Sequence, residues 1–317
     1  ATLFLNYTNP KDLKKIYLPN VSYFSPLKGQ TVQAQLLGYE TPSIITKTYE
    51  TVIFSVPKSK EEALGQISIA YTKVKMGGIL IVEGDRRNGI ESIIKVLSKE
   101  VPVEHLLSKS HGKIAIINVK SKPPDIFSEW LAFNRPVKNK DGFFSLPGLF
   151  SYREIDLASK FLLSIFNGQL NGDIIDFGAG WGFLSKNVLE TCLGVKSITL
   201  IDHDKRALDC ARLNINNKKA TFKWMDIEDT RQLDSKFDTA ICNPPFHSVE
   251  GRNIELGKTF IIAAHQHLKK TGNLLLVANI QLPYESTVKA LFHDFKIHSS
   301  NKYFKIIHPS SYWQFRN

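Results

Sequence analysis

The chain has 317 residues, with 41 Lys and Arg against 30 Asp and Glu and a formal net charge of +11. Hydrophobic residues make up 43% and charged residues 22%, a globular composition that excludes disordered and low-complexity architectures, and the length leads us to expect two domains. Cys192, Cys210 and Cys242 are too widely spaced for a disulfide framework or a zinc cluster, and apolar runs such as 78–82 and 274–277 are far shorter than a bilayer requires.

The opening Ala1-Thr2-Leu3-Phe4 lacks the charged-then-apolar layout of a secretory signal, so a reducing, cytoplasmic setting away from membranes is expected. In the first half, segments 51–58 and 75–82 lie about one helix apart, and a helix and two strands follow, ending at 113–119. Basic pairs recur through this half: Lys14 with Lys15, Lys58 with Lys60, Lys73 with Lys75, Arg86 with Arg87, and Lys120 with Lys122. Such a balance serves solubility in many proteins, and it equally suits an anionic partner, of which nucleic acid is the commonest large one. Ser121-Lys122-Pro123-Pro124 and the stretch through Gly142 read as linker, which sets a first domain at 1–122, a linker at 123–142 and a second domain at 143–317.

From about residue 172, short β-branched runs at 173–177, 197–201, 221–224, 239–242 and 273–278 alternate with helical stretches at 182–191, 205–216, 255–270 and 285–293. That alternation predicts an α/β fold with a parallel sheet covered on both faces. The runs 295–298 and 303–307 follow across a short turn and predict a hairpin whose last strand is antiparallel. Residues 51–58 align with 239–246, and 75–82 with 270–277, in the same order and at similar separation, so the second half is expected to repeat the first.

The candidate chemistry lies at the strand ends of the second half. Asp176-Phe177-Gly178-Ala179-Gly180-Trp181-Gly182 closes one strand and opens a helix; its glycines let a ligand approach the main chain at the helix N-terminus. The spacing is not the dinucleotide fingerprint, because Gly182 comes one residue too early. Asp202 ends the next strand, where a carboxylate can take both hydroxyls of a ribose. Asp226 follows the third, placed to meet the exocyclic amine of an adenine. The fourth strand runs into Asn243-Pro244-Pro245-Phe246. The Asn243 side-chain oxygen and the Pro244 carbonyl can accept both hydrogens of one planar amine and aim its lone pair at an electrophilic methyl group, while Phe246 offers a stacking face. His247 could take the released proton or simply hold this turn. Cys242 reads as a buried strand residue, and no HExxH or CxxC spacing occurs, so no metal is expected.

Together these motifs resemble the S-adenosylmethionine-dependent methyltransferases of the amino-methylating kind. More narrowly, the chain is similar to the bacterial ribosomal RNA guanine-N2 methyltransferases of the RsmC/RlmG group. The match extends to Leu146-Pro147-Gly148-Leu149-Phe150-Ser151, Val277-Ala278-Asn279, Leu282-Pro283-Tyr284 and Tyr303-Phe304-Lys305. The resemblance implies two tandem Rossmann-like methyltransferase domains, the first degenerate. It also implies S-adenosylmethionine held by Asp176, Gly178, Gly180, Gly182, Asp202, Asp226 and Asn243, with S-adenosylhomocysteine as product. Catalysis would fall to Asn243, Pro244, Pro245 and Phe246. The partner would be ribosomal RNA, most simply 16S, or a ribosomal subunit, and the chain would act as a monomer that is its own pseudo-dimer. In the first copy Ser55-Val56-Pro57-Lys58 stands where the amine-binding turn should be, and residues 1–50 show no counterpart of the glycine turn, so that copy is expected to dock substrate. Candidate substrate contacts are Phe246, His247, Phe150, Arg86 and Arg87, with Lys58 and Lys60. The same turn serves adenine N6 and protein glutamine, and a non-catalytic RNA-binding factor could keep the pocket as a relic. Phe246 in place of the more usual Tyr, the front domain and the basic balance favour guanine.

Overall fold

The computed structural model describes residues 1–15, 20–109, 111–166, 168–245, 247–248, 251–252, 254–292 and 294–310. The chain forms two compact units, 1–137 with 146–152, and 138–145 with 153–317.

The first unit opens with β1 (Thr2–Leu5), β2 (Val21–Phe24), α1 (Lys28–Leu36), β3 (Tyr49–Ser55), α2 (Lys60–Thr72) and β4 (Val74–Asp85). It continues through α3 (Ile90–Glu100), β5 (His105–Lys109), β6 (Gly112–Asn118) and α4 (Ile126–Leu131). The sheet order is β2-β1-β3-β4-β6-β5; the first four strands are parallel, β6 runs antiparallel to β4, and β5 antiparallel to β6. Alternation along β1 sends Leu3 and Leu5 to one face and Phe4 to the other, so helices cover both. α3 buries Ile90, Ile93, Ile94 and Leu97, the one-sided stripe that docks a helix on a sheet. Ser59 caps α2 by accepting from the Glu62 N–H.

The stretch read as linker contains α4, which buries Phe127 against Tyr71 of α2 and Trp130 stacked on Phe127. Apolar burial therefore carries the first unit on to residue 137, and residues 146–152 belong to it as well.

Short strands β7 (Val137–Lys138) and β8 (Phe144–Ser145) precede the second sheet. The second unit proceeds through α5 (Leu157–Leu163), β9 (Asn171–Phe177), α6 (Phe183–Thr191), β10 (Gly194–Asp202), α7 (Lys205–Asn214), β11 (Ala220–Trp224) and β12 (Phe237–Cys242). After the short strands β13 (His247–Ser248) and β14 (Gly251–Arg252) come α8 (Ile254–His267), β15 (Leu268–Asn279), α9 (Glu285–Leu291), β16 (Asp294–Ser300) and β17 (Phe304–Ser310). The order β11-β10-β9-β12-β15-β17-β16 holds five parallel strands, then an antiparallel pair, as the closing hairpin predicted.

The six strands of the first sheet follow the order of the second with its β11 edge missing, so the fold is two tandem doubly wound units. The turn after β1 takes the topological place of the glycine turn. Asn6 adopts a left-handed conformation there (φ 57°), with no glycine and no acid beside it. Ser55, the last residue of β3, takes the place of the β12 end.

Candidate active site

Parallel pairing brings four strand ends of the second unit side by side. Phe177 of β9 lies level with Cys242 of β12 and Ile201 of β10, and Asp202 lies level with Trp224 of β11. Asp176, Asp202, Asp226 and Asn243 thus gather along the C-terminal edge of the sheet, where the strand order reverses and ligands of open α/β sheets bind.

Gly178, Gly180 and Gly182 all adopt positive φ (70°, 55° and 88°), which folds the turn back over β9. The N–H groups of Gly178 and Ala179 both donate to the Ile201 carbonyl at 2.9 Å. The Gly180 N–H donates to Asp202 Oδ2 at 2.8 Å, tying the turn to the carboxylate on the next strand. A side-chain carbon on Gly182 would meet Ala211 and Ile215 of the neighbouring helix, and one on Gly178 the Phe260 ring; one on Gly180 would meet nothing within 4 Å. Gly180 therefore borders open space. Trp181, bulky for such a turn, points away from it: its ring is buried beside Phe143 and Phe183, and its carbonyl accepts from Asn214 Nδ2 at 2.8 Å.

Asp176 is 1% exposed and accepts from Ser185 Oγ at 2.6 Å. Burial pushes its carboxyl up to about 7, with the Ser185 bond opposing the rise. Asp202 is also buried, and burial raises it; its Oδ1 accepts the Asp204 N–H at 2.8 Å. Asp226 is half-buried and caps the following turn through the Glu228 N–H at 3.2 Å. This donor set fits a nucleoside: carboxylates for the ribose and the base lie beside a main-chain cradle that a Cβ at Gly180 would intrude upon.

Asn243 follows β12 half-buried, Pro244 is buried and Pro245 exposed. Phe246 lies outside the described residues, as does the His247 side chain. The Asn243 Nδ2 donates to Asp156 Oδ2 at 2.8 Å and to Ser159 Oγ at 2.9 Å. Neither partner was singled out from sequence; the available signal was Asp156-Leu157-Ala158-Ser159 ahead of an apolar run, a helix N-cap pattern. Cys242 is fully buried and its thiol is raised well above the ordinary range by burial, so it is an inert strand residue.

Tyr284 packs its phenol where a Cβ on Gly257 of α8 would sit, and the buried Lys305 bonds Glu285. These two matched segments support the sheet beside the site. Phe150 is exposed within the first unit. Arg86 and Arg87 are exposed there too, in ion pairs with Glu91 (3.2 Å) and Asp85 (3.1 Å), and Lys58 and Lys60 are exposed after β3. Among the described residues, no group of three or more His, Cys, Asp or Glu could hold a metal ion, and no helix is long and apolar enough to cross a membrane.

The sequence model of the methyltransferase small domain matches residues 140–308, and that of its N-terminal companion domain matches 11–133. The ribosomal RNA small subunit methyltransferase C of Sodalis glossinidius is 30% identical over 282 residues, spanning 86% of this chain and 77% of that protein. Its namesake from Psychromonas ingrahamii is 26% identical over 289 residues, spanning 90% and 82%. The solved T. thermophilus 16S rRNA N2 G1207 methyltransferase, in complex with AdoMet and guanosine, superposes with a TM-score of 0.81 over 98% of this chain and 87% of its own, at 20% identity.

Proposed function

The chain belongs to the methyltransferase small domain family, and we propose that it transfers a methyl group from S-adenosylmethionine to the exocyclic N2 amine of a guanine in small-subunit ribosomal RNA. The observation that carries this reading is the register that sets the Gly180–Asp202 pair and the Asn243-Pro244 turn on neighbouring strand ends of one sheet. The relatives named above and the complex with AdoMet and guanosine support the same chemistry.

In this reading Asp202 accepts from the ribose hydroxyls and Asp226 from the adenine amine, while Gly180 leaves room for the methionine portion and Gly178 and Gly182 let the turn pack closely on its neighbours. Asp176, buried beneath the turn, braces the start of α6 through Ser185. S-adenosylmethionine supplies, when bound, the electrophilic methyl. Asn243 Oδ1 and the Pro244 carbonyl accept the two hydrogens of the guanine amine, which localises its lone pair on nitrogen and fixes its line of approach. Phe246 stacks the base, and Pro245 stiffens the turn that holds all three. A paired guanine must first leave its stack, at a cost of a few kcal/mol. We take the first unit, with Lys58, Lys60, Arg86, Arg87 and Phe150, to dock the RNA. One chain carries both units, so a monomer in the cytoplasm, where ribosomal subunits are found, suffices.

The test is methyl transfer from labelled S-adenosylmethionine to unmethylated small and large subunits and to their naked RNAs, followed by nucleoside analysis. Label in N2-methylguanosine of the small subunit is the expected result. Label on adenine or on protein, or no label despite tight cofactor binding, would overturn the substrate, and weak or absent cofactor binding would indicate a relic.

A further inference from the structure

The amide of Asn243 must present its oxygen, not its nitrogen, to a target amine, and the two ends of an asparagine amide are nearly the same size. Something must therefore select the orientation. Both Nδ2 hydrogens are committed to α5, one to Asp156 Oδ2 and one to Ser159 Oγ, and no described residue donates to Oδ1. The two partners are not equivalent. A hydroxyl can donate or accept and would tolerate either end of the amide, whereas a carboxylate offers acceptors alone and admits only the nitrogen. The same Asp156 Oδ2 accepts the Ser159 N–H at 2.8 Å, which pins the carboxylate to the first turn of α5.

We propose that Asp156, with Ser159 in support, is a positioning residue that sets the polarity of the Asn243 amide and holds Oδ1 towards the substrate amine. The proposal rests on reading Asn243 as the amine acceptor. It adds a contact that spans 87 positions of sequence and ties the Asn-Pro-Pro-Phe turn to a residue outside both motifs. It also gives α5 a function beyond packing, because the helix cap and the amide lock share one oxygen.

Asp156→Asn and Asp156→Ser separate the two uses of that oxygen. Both residues are good N-caps, but an Asn that caps keeps its oxygen on the Ser159 N–H and so still faces Asn243 with an acceptor, whereas Ser is too short to reach Asn243. In Asp156→Ser kcat should fall about ten- to hundredfold, the range for removing a group that orients a functional side chain, whereas Asp156→Asn should stay close to wild type. The Kd for S-adenosylmethionine, the KM for RNA and the Tm should stay near wild type. Ser159→Ala keeps the acceptor-only partner, so its kcat should fall less than in Asp156→Ser. Wild-type kcat in Asp156→Ser overturns the proposal, and so does a loss of kcat matched by an equal loss of cofactor affinity or of Tm, which marks a structural cap. Asn243→Ala is run alongside: full activity there overturns the reading of Asn243 itself, whereas an inactive Asn243→Ala beside a fully active Asp156→Ser overturns only the role of Asp156.

Discussion

Two buried carboxylates stand at the centre of the second unit, and their burial has a measurable signature. Free in an unfolded chain, Asp176 would ionise near 3.8; in the fold it does so near 7. Between those values the folded state holds a proton that the unfolded state has released, so this group's contribution to stability falls as pH rises from about 4 to about 7 and is flat above. Asp176→Asn still accepts from Ser185 but cannot ionise. Its Tm relative to wild type should therefore rise between pH 5 and pH 8, by the equivalent of about 2 kcal/mol, read by thermal melts at the two pH values. Asn243→Ala should leave the Kd for S-adenosylmethionine within about twofold while lowering methyl transfer by at least about a hundredfold, since it removes an acceptor aimed at the substrate amine. Calorimetric titration and initial rates check the two halves. The strand-end acids were legible because strands betray their own ends. Asp156 was not, because its partner is remote in sequence and only the folded sheet brings α5 to the end of β12.

The glycine turn shows how one short motif serves two masters. Gly180→Ala meets no neighbour and costs only the strain of a side chain at φ 55°, about 1–2 kcal/mol, yet it intrudes on the cofactor cradle. Gly182→Ala carries comparable strain and also drives a carbon to 3.1 Å from Ala211 and 2.9 Å from Ile215, where overpacking adds about 1–3 kcal/mol. Denaturant melts should show Gly182→Ala as the less stable, whereas titration should show Gly180→Ala losing cofactor affinity by more than its loss of stability. The longer elements of the second unit from β9 onward were readable because β-branched strands and helical stretches alternate there; α5 and the short strands were not read. Three elements at the start of the first unit were not: β1 and β2 have only four residues each, and α1 lacks a side-chain cap. α4 hid between prolines and a polar stretch, and its two buried aromatics, Phe127 and Trp130, were the signal that could have revealed it.

Along the chain the basic residues come as scattered pairs rather than one long run, and their docking value depends on which cations are already paired. Arg86 and Arg87 carry their own acids, Glu91 and Asp85, at salt-bridge distance. Lys58 and Lys60 stand exposed just after β3, at the first unit's equivalent of the amine-binding strand end. Each phosphate contact contributes about 0.7–0.9 to the slope of log affinity against log salt, so Lys58→Ala with Lys60→Ala should lower that slope by up to about 1.8. Arg86→Ala with Arg87→Ala should lower it by less, because those side chains must first leave their acids. RNA binding measured over a range of salt concentrations tests both.

Residues 146–152 belong to the first unit although the chain on either side of them belongs to the second. During synthesis, then, the front unit cannot be finished when its last strand, β6, emerges. It must wait for a segment about thirty residues further on, where Gly148 comes to lie against Glu62 of α2 and Tyr152 bonds Glu61. The nascent chain has by then already begun the second unit with residues 138–145. The usual order, in which an N-terminal domain folds completely before the next begins, gives way here to a stitched one. Ribosome-stalled chains ending shortly after residue 145 should hold the front unit in a protease-sensitive state that closes once residue 152 is exposed.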